Sequence, residues 1–275
     1  MSFLAVRLHT ADSSNPNASH SVMETIMAAL PGVSPLVMAF YGLLAMLILY
    51  GMVLDFRRPS TPAVAAILEA LLTFIAVPIL MAVLGVCFLD KDPINHFQNV
   101  WVVAVIGSIL ILAFGLEPRS NTARNENEKW IITGPMLKFI VGHVVFQMAV
   151  LVALVYFGDR LLGIPSNRFA DMGHSYSQHY TIVFNVFTLM SLFTWFNARF
   201  EYADGFKSKW WRTPSFLAYW ASLLICHVLI VQASGHIFSL TPLSISQWIF
   251  SVVLSALIVP FGLILSLIPP LGQGM

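Results

Sequence analysis

An all-α bundle of about seven membrane-spanning helices is the fold this sequence predicts, and three observations predict it. Hydrophobic residues make up 58% of the 275 positions and charged residues only 10%, against about a quarter charged in ordinary soluble domains. Seven apolar runs, at roughly 33–54, 64–89, 97–116, 138–158, 179–198, 213–233 and 245–268, reach the length of about 20 residues that a helix needs to cross a hydrocarbon core. Apart from Glu69, the charges of this region fall mainly between them, in loops at 55–58, 90–92, 117–129, 159–171 and 199–212. Without water the backbone must satisfy its own polar groups, so isolated apolar runs of this length read as helices.

Taken in order, residues 1–34 form an N-terminal arm. Thr10 to Ser19 (TADSSNPNAS) is a turn-rich polar cluster, and Ser21 to Leu30 (SVMETIMAAL) has apolar residues at helical spacing, which predicts a short interfacial helix. The first twelve residues carry one arginine, Arg7, and no long apolar core, so no cleaved secretory signal is expected. Asn17-Ala18-Ser19 matches the glycosylation acceptor pattern, a motif short enough to recur by chance. Residues 35–64 hold the first span and its loop, with the stripe Phe40, Leu44, Leu47 and Met52 open to new packing. Residues 65–275 hold the other six spans.

Within those six, Glu69 is the only carboxylate inside a run, close enough to one end to reach the interface. Pro78 and Pro260 predict kinks, because proline removes a helical hydrogen bond and crowds the preceding turn. Trp101, Trp130, Trp210, Trp211 and Trp248 lie near span ends, where indole rings anchor at headgroups. Cys87 and Cys226 sit in apolar runs and read as core residues rather than a disulfide. His174 and His179 are five apart beside Tyr176 and Tyr180, a spacing that fits no helical metal pair, and read as interfacial.

Lys and Arg set the orientation. Arg57, Arg58, Arg119, Arg124, Lys129, Lys138, Arg199, Lys207, Lys209 and Arg212 fall on one face; Arg7, Lys91, Arg160 and Arg168 fall on the other. The positive-inside rule places the first set in the cytoplasm or its organellar equivalent. A net charge of +1 gives no reason to expect a nucleic acid or an acidic partner. Mitochondrial, photosynthetic, endoplasmic-reticulum and plasma membranes all fit.

The segment His179 to Arg199 (HYTIVFNVFTLMSLFTWFNAR) closely resembles the eighth membrane helix of plasma-membrane-type calcium pumps, which are P-type ATPases. Gly134 to Gln147 (GPMLKFIVGHVVFQ) is similar to the entry of the seventh helix. Val231, Gln232, Gly235, Phe238, Ser239, Pro242, Leu243, Gln247 and Trp248 fall in the order and spacing of the ninth and tenth. The resemblance runs in register from about Leu72 to about Pro269, all of it membrane region, and implies that the last six spans pack like the last six of such a pump.

It also implies what to look for at the ion site. Calcium takes six to eight oxygen ligands, which in a membrane must come from helices facing the interior. Register on Gly85 to Pro93 places Ile75 at the family's fifth-helix asparagine and Pro78 near a position where some relatives have glutamate. Register on Trp101 to Pro118 places Val103 at the sixth-helix asparagine and Gly107 at the aspartate; Ser191 takes the eighth-helix position. Only Ser191 carries a side-chain oxygen, and the first run lacks the prolines and glutamate of the fourth helix. The site reads as erased, with no metal and no cofactor expected.

The motor is missing from the sequence as well. A P-type ATPase needs an Asp-Lys-Thr-Gly phosphorylation motif and nucleotide and actuator domains of about a hundred residues or more each. Asp90-Lys91-Asp92 lacks the threonine and glycine and falls on the non-cytoplasmic side. No enzyme activity and no ATP binding are expected of this chain. The polar residues His143, Gln147, Asn185, Thr194, Asn197, His227 and Gln232 read mainly as interhelical hydrogen-bonding groups, with a proton or soft-metal path through His143 and His227 as the other reading.

Three functional classes follow. The first is a non-catalytic scaffold, a pseudo-pump packed against other membrane protein subunits and lipids in a larger complex. The second is a cation-transport module working with a separate ATPase chain. The third, a lipid- or small-molecule-modifying enzyme, finds no paired carboxylates, no nucleophile with a base and no metal constellation in the spans.

Overall fold

A computed structural model of the chain describes residues 62–89, 93–109, 134–166, 177–202, 214–233 and 238–268. The N-terminal arm, the first span, the Asp90-Lys91-Asp92 turn, His174, Trp130, Trp210 and Trp211 lie outside the described residues. Every regular element described is helical.

Helix α1 (Pro62–Leu84) continues into a π-helical turn, Gly85–Leu89. Helix α2 opens at His96–Asn99, turns π-helical over Val100–Ile106 and extends to Ile109. Then come α3 (Gly134–Leu162), α4 (Gln178–Tyr202), α5 (Pro214–Ala233), α6 (Ile245–Ala256) and α7 (Ile258–Leu267). Helices α6 and α7 are the halves of one span, so five stretches are long and apolar enough to cross a membrane, with Phe97–Ile109 as a shorter apolar helix. These account for six of the seven runs. The break at Leu257 lies one turn before Pro260, which cannot donate the hydrogen bond that would continue the helix. Helix α1, by contrast, runs through Pro78.

Helix α4 is the axis of the bundle. Its residues Thr181 to Leu192 are buried on every side, although it is the least hydropathic of the five spans. The inversion is characteristic of a bilayer: lipid accepts apolar faces but offers polar groups no partner, so the helix carrying Thr181, Asn185, Thr188, Ser191, Thr194 and Asn197 goes to the centre. Helices α1, α3, α6 and α7 pack around it, and α5 lies at the edge, leaving Ile225, Val228 and Leu229 exposed.

Local chemistry fixes the helix ends on one side of the bundle. Ser244 caps α6 in a capping box with Gln247, whose side-chain oxygen accepts from Ser244 N at 2.9 Å. Asn95 and Gln98 do the same for α2: Gln98 N donates to Asn95 Oδ1 at 2.9 Å, and Asn95 N donates to Gln98 Oε1 at 3.0 Å. Both amide groups then donate to Phe238 O at 2.8 Å, tying α2 to the turn before α6, where Ser239 has φ 55°. Gln232, at the end of α5, donates to Leu243 O at 3.0 Å and accepts from Leu243 N at 3.1 Å, closing the same turn as a strand neighbour would.

That clamp carries a prediction. Gln232→Leu removes both side-chain partners of the Leu243 backbone amide and carbonyl. Hydrogen–deuterium exchange at the Leu243 amide is expected to accelerate; unchanged protection would show that the clamp is dispensable.

Four sequence expectations need correction. Glu69 does not reach the interface; it is fully buried by neighbouring protein two turns into α1. His179 is also buried, and its Nε2–H donates to Leu154 O at 2.8 Å, fastening the start of α4 to α3. Cys226 is exposed on α5 rather than in a core, while Cys87 is half-buried, and no disulfide joins them. The indole N–H groups of Trp101 and Trp248 are buried inside the protein instead of reaching headgroups.

Candidate functional site

The positions aligned with an ion site fall on α1 (Ile75 and Pro78), α2 (Val103 and Gly107) and α4 (Ser191). Phe74, beside Ile75, meets Trp195, one turn beyond Ser191, in an edge-on contact with ring centroids 5.7 Å apart. Ile75 is half-buried; Pro78, Val103, Gly107 and Ser191 are buried. Val103 lies in the π-helical segment of α2, and a Cβ on Gly107 would touch the Leu71 side chain at 3.5 Å. These neighbours, Leu71, Phe74 and Trp195, are apolar. Among the described residues, no group of three or more His, Cys, Asp or Glu is arranged to hold a metal.

The polar residues of the spans meet one another in pairs. In the first node His143 Nδ1–H donates to Phe139 O at 2.8 Å, and His143 Nε2 accepts from Asn197 Nδ2 at 3.0 Å. Both ring nitrogens are thereby assigned, and the imidazole is neutral. Asn197 Nδ2 also donates to Ile258 O at 2.7 Å, so one amide joins α3, α4 and α7. It lies flat on Gly262, where any Cβ would collide with it.

A second node holds α5. His227 Nε2–H donates to Asn185 Oδ1 at 2.9 Å, and the His227 ring meets Phe184 and Trp248 edge-on. Gln147 Nε2 donates to Thr194 Oγ1 at 3.1 Å between α3 and α4. Trp220 Nε1 donates to Leu192 O at 3.1 Å, and Ser255 Oγ to Val186 O at 3.2 Å. His143 and His227 thus belong to separate nodes, whose α4 partners Asn197 and Asn185 lie more than three turns apart along the helix. Six of the seven polar residues singled out in the sequence pair between helices, and Gln232 pairs with the loop. Trp195 and Trp220 were missed, because a tryptophan in mid-span looks like any other apolar residue in a run.

Comparison with known proteins places this geometry. Residues 91–268 match the family model described as cation transporting ATPase, C-terminus. Plasma membrane calcium-transporting ATPase 4 of Homo sapiens is 32% identical over 212 residues, covering 75% of this chain and 17% of that protein. Plasma membrane calcium-transporting ATPase 1 of Gallus gallus is 31% identical over 215 residues, covering 75% of this chain and 18% of that protein. The chain thus corresponds to less than a fifth of the length of these relatives.

Proposed function

This chain belongs to the cation transporting ATPase C-terminal family, and on that premise we propose that it is a pump-derived membrane domain acting as a non-catalytic structural subunit of a larger membrane complex. One observation carries the reading: of the five positions that the register aligns with a pump's ion site, Ile75, Pro78, Val103, Gly107 and Ser191, only Ser191 has a side-chain oxygen. A divalent ion there would lose most of its hydration with little in return. The interhelical polar pairs then serve assembly of the bundle, at about 0.6 kcal/mol per contact in a bilayer.

Partners follow from the same reading: other membrane protein subunits and lipids, without ATP. Mild-detergent purification of the native protein with mass spectrometry of its companions tests it. Deleting residues 1–30, which offer the polar arm for docking, is expected to release the chain from its complex with helical content intact by circular dichroism. Full-yield co-purification of the truncated chain, or a lone native monomer, would sink the reading.

The buried carboxylate of Glu69 favours a second reading, a cation-transport module working with a separate ATPase chain, because intramembrane acids mark ion pathways. Calcium-45 binding to the purified chain separates the two. The scaffold reading expects none above background; the transport reading expects saturable binding that Glu69→Gln abolishes.

A further inference from the structure

Gln147 of α3 and Ser191 of α4 are both buried, and Gln147 reaches α4 at Thr194, one turn from Ser191. Gln147 donates through Nε2 to Thr194 Oγ1, and Thr194 passes its own hydroxyl hydrogen to Met190 O at 2.8 Å. Ser191 precedes Thr194 by three residues and so lies on the neighbouring face of α4, one turn away. Gln147 is 1% exposed and Ser191 0%. Yet Gln147 Oε1 and Ser191 Oγ have no hydrogen-bond partner among the described residues.

The serine is unusual in its own helix. Thr181, Thr188 and Thr194 all return their hydroxyls to the carbonyl four residues earlier, at 2.8–3.0 Å. Ser191 makes no such bond, which leaves its hydroxyl hydrogen for something else. Buried polar atoms left in this state are where unseen water or ions reside.

We propose that this α3–α4 seam is a hydration site, a water molecule held between Gln147 Oε1 and Ser191 Oγ inside the bundle. The donor count selects water. Gln147 Oε1 can only accept, whereas Ser191 Oγ can do either, and a water satisfies both. A cation is disfavoured because the stretches of α3 and α4 that carry the two atoms, residues 143–151 and 188–197, include no carboxylate, and His143 is held neutral by its two bonds. Glu69 is the buried carboxylate of α1, which packs on both helices, and the thallium test below covers it. Asn197 Oδ1, also buried, is not part of the site; it faces Gly262, where an added Cβ would lie 3.0 Å away. The one ion-site position that keeps a side-chain oxygen thus becomes a water ligand. This holds whether the chain is a scaffold or a transport module.

A structure of the full chain in lipid nanodiscs, at a resolution that shows ordered water, tests it. A density peak is expected within hydrogen-bond reach of Gln147 Oε1, about 2.7–3.2 Å, and lost in Gln147→Leu. Should that variant fail to fold, Ser191→Ala is the milder probe and is expected to remove or displace the peak while the helices stay in place. A dry seam in the unaltered chain, with Gln147 Oε1 turned to a protein donor, would overturn the proposal. So would an anomalous thallium signal at the peak after thallium soaking, since that marks a cation.

Discussion

Gly262→Ala is expected to destabilise the bundle by about 3 kcal/mol, a large effect for a single methyl group. The added Cβ would fall 2.5 Å from Asn197 Cγ, far inside contact distance. A flexible side chain could swing away, but this amide is pinned by bonds to His143 Nε2 and Ile258 O. Moving it breaks both and leaves a buried imidazole nitrogen and a buried carbonyl without a donor, at about 1–3 kcal/mol for each unsatisfied group, on top of about 1–3 kcal/mol for overpacking. Partial relaxation of α7 brings the sum back toward the lower end. Thermal unfolding in mild detergent reads the loss directly. The double variant Gly262→Ala with Asn197→Ala is expected to be less destabilised than the two single effects added together, because the clash is then already relieved. Strict additivity, or a Gly262→Ala protein as stable as the parent, would show that α7 does not press on Asn197.

That node also shows how far the sequence could be read. Spacing and composition identified six of the described helical stretches, because a bilayer leaves an apolar run of sufficient length little choice but a helix. The same reasoning picked out His143, Asn197, His227 and Asn185 as interhelical groups, since an amide or imidazole in mid-span must find a partner. It could not say which partner, because pairing depends on rotation and crossing of helices far apart in sequence. Gly262 gave no signal: its role is to be small at one point of α7, and only the arrival of Asn197 from α4 makes that matter. Glu69 was misplaced for a related reason. Distance from a span end was legible; the protein packed around that end was not.

The register on the family implies which oxygens are absent from the aligned positions, and packing shows what stands beside Ile75. Trp195 and Phe74 are both about 1% exposed or less and meet edge-on at 5.7 Å, filling the crossing of α1 and α4 beside Ile75. A site that takes up and releases an ion needs space lined with polar atoms, and a buried aromatic pair supplies neither.

Trp195→Ala is therefore expected to cost about 3–5 kcal/mol, the range for emptying a buried aromatic position whose surroundings collapse only in part. Of this, about 0.5–1.5 kcal/mol belongs to the edge-on pairing with Phe74 and should appear as coupling in a cycle with Phe74→Ala. Trp195→Phe retains a ring in the seam and should lose much less. The measurement is again the unfolding midpoint in mild detergent, read alongside calcium-45 binding. If the aromatic pair has replaced the ion, Trp195→Ala weakens the fold without creating calcium affinity, because the cavity it opens gains no carboxylate or amide oxygen. A Trp195→Ala chain that stayed as stable as the parent, or that bound calcium, would mean that α1 and α4 do not need this contact and that the crossing is still built to open.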